Sequence, residues 1–217
     1  MRCTFCGYGK DSWNSSPGTA SHLEDKMIIF AISIALLIKA DQTIGKTIYV
    51  SNGGQQGEWG KPERCLAGTV AKGLSLKVEQ PQGIGDDTSL NGIRLHCVRC
   101  RFPHDENMIT SDFGLWGTWG PTKWCPYGFL STFSLRVEGF QGQLDETAAN
   151  NIKFKCSDNS TLEGDGLSWG MYGALSESCL YGICGITTKV VKPQGFGDDT
   201  ALNDVHFSCC AAGAYNT

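Results

Sequence analysis

Long apolar runs are nearly absent from this chain. The one that stands out, Met27 to Ile38, reads MIIFAISIALLI with Ser33 its sole polar residue, and it falls short of the about 20 residues a membrane span needs. Charge is scarce too: Asp, Glu, Lys and Arg make up 18% of the 217 residues. The formal net charge of −4 leaves no broad basic field to attract nucleic acid. Beyond residue 40 no stretch keeps a helical period for ten residues, which argues against helices. The four histidines are scattered, with His22 in a leader region, His96 and His206 on the outer faces of strands, and His104 in a loop. No serine or cysteine near them carries a nucleophile motif, and nothing in the sequence calls for a cofactor.

What is abundant is glycine, 28 residues, about twice average usage. With 41% hydrophobic residues, that composition fits many strands joined by glycine-rich turns. Eleven cysteines are too many for a cytosolic thiol set without metal and indicate an oxidising compartment. The apolar stretch within residues 27–40 fits a signal peptide, with Lys26 before it and a cut after Ala40. Residues 1–26 then read as an upstream extension outside the mature protein; the alternative keeps them as a cytosolic tail on a signal anchor. Removing residues 1–40 leaves 14 basic and 19 acidic residues.

Internal repetition is the strongest signal. Gly73-Leu-Ser-Leu-Lys-Val-Glu79 returns as Thr132-Phe-Ser-Leu-Arg-Val-Glu138 and as Gly185-Ile-Thr-Thr-Lys-Val-Val191. A second block follows each time: Asp86-Asp-Thr-Ser-Leu-Asn91, Asp145-Glu-Thr-Ala-Ala-Asn150 and Asp198-Asp-Thr-Ala-Leu-Asn203. Ahead of them stands Gly-x-aromatic-Gly, at Gly57–Gly60, Gly117–Gly120 and Gly170–Gly173. Cys65, Cys125 and Cys179 open the units, and Cys97, Cys156 and Cys209 close them. Three blocks in the same order, three times, define repeats at about 48–103, 109–158 and 162–210 within one domain, 46–213.

Within each repeat the pattern alternates. Leu74, Leu76 and Val78 alternate with Ser75 and Lys77; Ile93, Leu95 and Cys97 share a face opposite Arg94 and His96. The other repeats follow, through Phe133, Leu135 and Val137, Ile152, Phe154 and Cys156, and Val205, Phe207 and Cys209. Period-two patterning predicts antiparallel strands with one buried face. One sheet per repeat, three sheets around a shared core, is the simplest closed arrangement.

The run Gly83-Ile-Gly-Asp-Asp-Thr-Ser-Leu-Asn-Gly-Ile-Arg-Leu-His-Cys97 resembles the vitelline membrane outer layer protein 1 family. So do Ala148-Ala-Asn-Asn-Ile-Lys-Phe-Lys-Cys-Ser-Asp158, Gly166-Leu-Ser-Trp-Gly170, and Gly197-Asp-Asp-Thr-Ala-Leu-Asn-Asp204 with the paired Cys209-Cys210. The resemblance covers about residues 46 to 210 and implies an all-β fold, a β-prism of three four-stranded antiparallel sheets with pseudo-threefold symmetry. It also implies a secreted protein of egg coats and mucosal fluids, whose partners are extracellular glycans or coat and mucus proteins. The family is further associated with action on N-acetylchitooligosaccharides, as a synthase or transferase. Of the cysteines, Cys65–Cys97 and Cys125–Cys156 pair by the repeat. Cys179 and Cys184 pair with Cys209 and Cys210, in an order the sequence leaves open. Cys100 is left over, as an unpaired thiol or a bridge to a second chain. Cys97-x-x-Cys100 and Cys3-x-x-Cys6 are weak metal or redox signals, because Cys97 has its repeat partner and Cys3 has no second pair nearby.

The acid pairs Asp86/Asp87, Asp145/Glu146 and Asp198/Asp199 can be read in two ways. Glycosyl transfer uses two carboxyl groups about 5–10 Å apart, which makes Asp87, Glu146 and Asp199 catalytic candidates if the three repeats converge at one end of the prism. Against this, Asp-x-x-x-Asn caps turns, and its recurrence in every repeat favours capping. Trp59, Trp119 and Tyr172 fill the repeated aromatic slot, with Trp116 and Trp169 beside the last two. They either stack on sugars or, as the favoured reading, plug the prism core under the glycine turns. Lys77, Arg136 and Lys189 recur on outer faces with no special role required. Asn159-Ser-Thr161 is a glycosylation sequon in a loop. Three functions remain: a structural and adhesive module of a coat or mucus layer, a chitooligosaccharide-acting enzyme, and a lectin-like sugar-binding module.

Overall fold

The computed structural model describes residues 45–81, 89–99, 106–138, 149–191 and 202–213. Lys46–Thr217 forms a compact unit of its own. Among the described residues there are fourteen strands, and no helix is long and apolar enough to cross a membrane. The long ones are β4 (Thr69–Val78), β5 (Leu90–Arg99), β9 (Leu130–Val137), β10 (Ala149–Cys156), β13 (Ile183–Val190) and β14 (Leu202–Cys209). Five of them are the alternating segments of the sequence, and β13 holds the third copy of the first repeated block. Each repeat contributes two of them as an antiparallel hairpin pair: β4 with β5, β9 with β10, and β13 with β14.

The remaining strands are short: β1 (Thr47–Ile48), β2 (Glu58–Trp59), β3 (Glu63–Arg64), β6 (Glu106–Ile109), β7 (Thr118–Trp119), β8 (Lys123–Trp124), β11 (Thr161–Glu163) and β12 (Met171–Tyr172). They form the edges of three sheets. Sheet I runs β1-β14-β13-β2, sheet II runs β6-β5-β4-β7, and sheet III runs β11-β10-β9-β12. β3 continues the edge begun by β2 along β13, and β8 continues that of β7 along β4. Pro62 and Pro121 stand in the two breaks, where a residue without N–H interrupts the ladder.

The expected four-stranded sheets are present, but the assignment of one sheet to one repeat does not hold. Each sheet joins the two long strands of one repeat to short edge strands of the next. In sheet I the long strands of the last repeat receive β1, β2 and β3 from the first. The reason is edge protection: a long hairpin alone exposes two unpaired ladders, and borrowing edges from a neighbour covers both while binding the repeats into a ring.

The buried faces are those the alternation predicts. Leu74, Leu76, Ile93, Leu95, Phe133, Leu135, Ile152, Phe154, Val205 and Phe207 are all within the core. At its centre Phe133, Phe154 and Phe207 contact one another, with ring centroids 4.8 to 6.2 Å apart. The tilted and edge-on arrangements suit aromatic quadrupoles. Four disulfides staple the unit: Cys65–Cys97, Cys125–Cys156, Cys179–Cys209 and Cys184–Cys210. The last two supply the order that the sequence leaves open.

Candidate functional site: the outer faces of the three sheets

Alternation that turns one set of side chains to the core turns the other set outward, and register decides what the outer set meets. The aromatic slot of each repeat lies directly across from a basic residue of the neighbouring long strand: Trp59 from Lys189, Trp119 from Lys77, and Tyr172 from Arg136. Cross-strand partners share a face. All three aromatics therefore lie on the outside of the prism, and the expectation that they plug its core is overturned. The axis is already filled by Phe133, Phe154 and Phe207, which leaves no place for larger rings.

Glycine makes the approach possible. Gly57, Gly117 and Gly170 have φ of +90°, +77° and +72°, and a Cβ at any of them would collide with the backbone of Val190, Val78 or Val137. Left-handed backbone and close approach both select glycine. The same turns aim carbonyl oxygens at the outer face, where the repeated cations take them up. Lys77 Nζ donates to the Gly114 and Leu115 carbonyls at 2.7 Å each. Arg136 Nε donates to Gly170 O at 3.0 Å, and Lys189 Nζ to Gln55 O at 2.6 Å. These cations do have a role, contrary to the sequence reading: each ties down the turn that leads into its sheet's edge strand.

A second repeated position flanks each ring from the other side. Arg94 lies over the Trp119 ring at 3.9 Å, Lys153 over Tyr172 at 4.0 Å, and His206 against Trp59 with ring centroids 4.0 Å apart. The third position, on the opposite edge strand, distinguishes the sheets. In sheet III it is Glu163, which accepts from the Tyr172 hydroxyl at 2.9 Å and sits 3.7 Å from Lys153 Nζ. Burial and Glu163 together push the Tyr172 hydroxyl well above its ordinary pKa. That network is self-satisfied. In sheet II Arg94 covers the indole of Trp119, whose other neighbour is the edge of Phe113 at 5.8 Å.

Sheet I is different. Its third position is Tyr49, 5.7 Å from His206, so Tyr49, His206 and Trp59 form one aromatic row across the sheet. Tyr49 is 64% exposed and Trp59 42% exposed. Beside the row sits Asp204, opposite Lys189 in register. Asp204 Oδ1 accepts from Val205 N at 2.8 Å, and Gly53 lies directly against the carboxyl group. Burial raises its pKa to about 6, against the lowering effect of the Val205 N–H and of Lys189. Burial and Lys189 lower that of His206, which keeps the imidazole neutral at physiological pH. The sequence reading placed His206 on an outer strand face without a role, and singled out neither Tyr49 nor Asp204 as a site residue. The signal was present in the repeat register, where His206 occupies the slot of Arg94 and Lys153.

Asp87, Glu146 and Asp199 lie outside the described residues, as do Cys100, His104 and residues 1–40. The asparagines that end the acidic blocks, Asn91, Asn150 and Asn203, are buried. Ser89 Oγ meets Asn150 Oδ1 at 2.5 Å and links two repeats. Trp116 and Trp169 are exposed on the turns before β7 and β12. Asn159 is exposed, with φ 69°, in the turn between β10 and β11. Among the described residues no group of three or more His, Cys, Asp or Glu side chains gathers into a metal site.

Residues 46–212 match the family model described as vitelline membrane outer layer protein I. A vitelline membrane outer layer protein 1 homolog from Mus musculus is 53% identical over 165 residues, 75% of this chain and 82% of the relative. One from Homo sapiens is 48% identical over 191 residues, 82% of this chain and 95% of the relative. Among solved structures, Calystegia sepium agglutinin superposes with a TM-score of 0.50 over 76% of this chain and 95% of its own, at 12% identity. That likeness concerns the fold: a β-prism built from the same arrangement of sheets.

Proposed function

Because the chain belongs to the vitelline membrane outer layer protein I family, we propose that it is a secreted structural and binding protein of an extracellular coat or mucosal layer, in contact with glycans. The observation that carries this reading is the match of residues 46–212 to the family, joined to a unit that four disulfides close. Disulfides of this density persist in oxidising compartments. Each closes a loop of 26 to 32 residues, which constrains the unfolded chain by roughly 3–4 kcal/mol on the chain-entropy model. A rigid module with three differently furnished outer faces suits a layer in which a small protein must keep its shape and hold neighbours. The names of the relatives point to the outer layer of an egg coat, and the agglutinin that shares the fold points to sugars.

The test is expression of the full chain in cells with a secretory pathway. The expected result is a protein in the medium with Cys65, Cys97, Cys125, Cys156, Cys179, Cys184, Cys209 and Cys210 all oxidised, retained on mucin- or egg-coat-coated resin and released by free oligosaccharide. Retention inside the cell, or passage through the resin unbound, overturns the reading.

A further inference from the structure

The threefold repeat supplies its own comparison. Three outer faces share one ground plan: a cation tying the glycine turn, an aromatic ring across from it, a flanking group over the ring, and a residue on the far edge strand. In sheet III the plan ends in the Tyr172–Glu163–Lys153 network, whose hydrogen-bonding groups serve one another. In sheet II the guanidinium of Arg94 occupies the indole face. In sheet I the slot that Arg94 and Lys153 fill holds no long cation, and the cation nearest the ring, Lys189, has its Nζ 5.9 Å from the Trp59 centroid. A neutral imidazole takes that slot, and exposed tyrosine replaces the polar residue at the edge.

The consequence is a row of partly exposed rings across the sheet, with centroid steps of 5.7 Å from Tyr49 to His206 and 4.0 Å from His206 to Trp59. At the repeated aromatic slot Trp59 is exposed, whereas its counterparts Trp119 and Tyr172 are half-buried. Lys189, the cation of this face, donates its hydrogen bonds to the Gln55 and Gly54 carbonyls. Asp204, half-buried, spends one oxygen on Val205 N and keeps the other as an acceptor beside the row.

We infer that the outer face of sheet I, formed by Tyr49, His206 and Trp59 with Asp204 beside them, is a binding platform for a neutral pyranose oligosaccharide. Sugar rings present C–H-rich faces that stack on aromatic rings, and their rims carry hydroxyls that donate to a carboxylate or an imidazole nitrogen. The charge pattern selects neutral sugars. An anionic glycan would meet the carboxylate of Asp204 and a lysine already engaged with backbone carbonyls. In the repeated slots of sheets II and III a cation lies 3.9 and 4.0 Å from the ring centroid, so of the three slots that of sheet I is the least covered by charge.

This inference rests on the glycan-contact part of the proposed function and can fail separately from it. Isothermal titration of the oxidised full chain with N-acetylchitotetraose and mannotriose as neutral probes, and with a heparin-derived tetrasaccharide as the anionic one, is the test. Binding of a neutral probe is expected, weakened at least about tenfold in Trp59→Ala and in Tyr49→Ala, with Trp119→Ala within about twofold of the parent. Tyr49 is the more exposed of the two, so its variant keeps the test informative should Trp59→Ala fail to fold by circular dichroism. Binding that survives both substitutions overturns the placement on sheet I while leaving glycan contact standing. Preference for the anionic probe overturns the ligand class, and absence of binding to any probe overturns both this inference and glycan contact.

Discussion

Trp59 stacks on His206 with ring centroids 4.0 Å apart and planes 34° from parallel, which joins an edge strand of the first repeat to a long strand of the last. The pair occupies a slot that elsewhere in the molecule holds Trp119 with Arg94 and Tyr172 with Lys153. One structural plan thus carries three chemistries, and several measurable properties follow from the differences.

The carboxyl group of Asp204 is the clearest. Its pKa is raised from 3.8 to about 6, so the folded protein holds that proton more tightly than the unfolded chain does. The stability this contributes is complete below about pH 4 and is lost as pH rises through about 6. Asn151 fills the equivalent slot in sheet III and still accepts from the following N–H, Ile152, at 2.8 Å. Asp204→Asn should therefore keep the backbone bond and raise Tm by a few degrees at pH 7.5, with the gain vanishing at pH 4. Thermal unfolding at both pH values checks this; an equal shift at the two would show that ionisation of Asp204 is not the cause.

Glycine at the entry turns is predicted to be irreplaceable for two reasons that can be separated. Gly117 combines φ +77° with a collision against the Val78 backbone, whereas Gly213 has φ +81° and open space around its would-be Cβ. Gly213→Ala should cost about 1 kcal/mol, the strain of left-handed backbone alone. Gly117→Ala should cost at least about twice that, since the edge strand must move away from β4. Urea unfolding of the two variants gives the difference directly.

Lys77 is buried, and burial pulls its ammonium below the ordinary lysine range. Its two 2.7 Å bonds to Gly114 and Leu115 carbonyls are what justify a cation there. Lys77→Met removes the charge but leaves the carbonyls without that donor, with an expected loss of about 1–3 kcal/mol. Amide exchange should show faster opening of Gly120 N, which donates to Leu76 O beside it. Unchanged exchange would mean that the turn is held by the ladder and not by the lysine.

Removal of the Cys125–Cys156 bridge by paired substitution with alanine should lower the unfolding free energy by roughly 3–4 kcal/mol, because the bridge closes a loop of 31 residues. The Cys184–Cys210 bridge has no counterpart in the other two repeats. Its removal should cost a similar amount while leaving the outer row of sheet I intact, as read by the neutral-sugar titration.

Much of this was legible from residue order. The alternation of Leu74, Leu76 and Val78 fixed the long strands and their buried face, and the spacing of Cys65 to Cys97 and Cys125 to Cys156 gave two bridges. The edge strands were not legible. β1, β2 and β12 are two residues each, too short to show a period, so nothing in the sequence said which repeat they would join. The direction of Trp59, Trp119 and Tyr172 was misread for the same reason: an aromatic between two glycines looks like a core plug until register places it across from a lysine or arginine. Tyr49 and His206 carry no motif, and their pairing depends on Thr47 meeting Ser208 at the closure of the ring.

That closure has a consequence for biosynthesis. Thr47 and Ile48 pair with Ser208 and Phe207, so residues made early in translation find their neighbours only when the last strand has left the ribosome. Until then β1 waits without its partner, and sheet I, the one with the aromatic row, is incomplete. Folding of this protein is completed after synthesis rather than during it, and a chain truncated before Leu202 loses β14, the strand that both β1 and β13 pair with, not merely a tail.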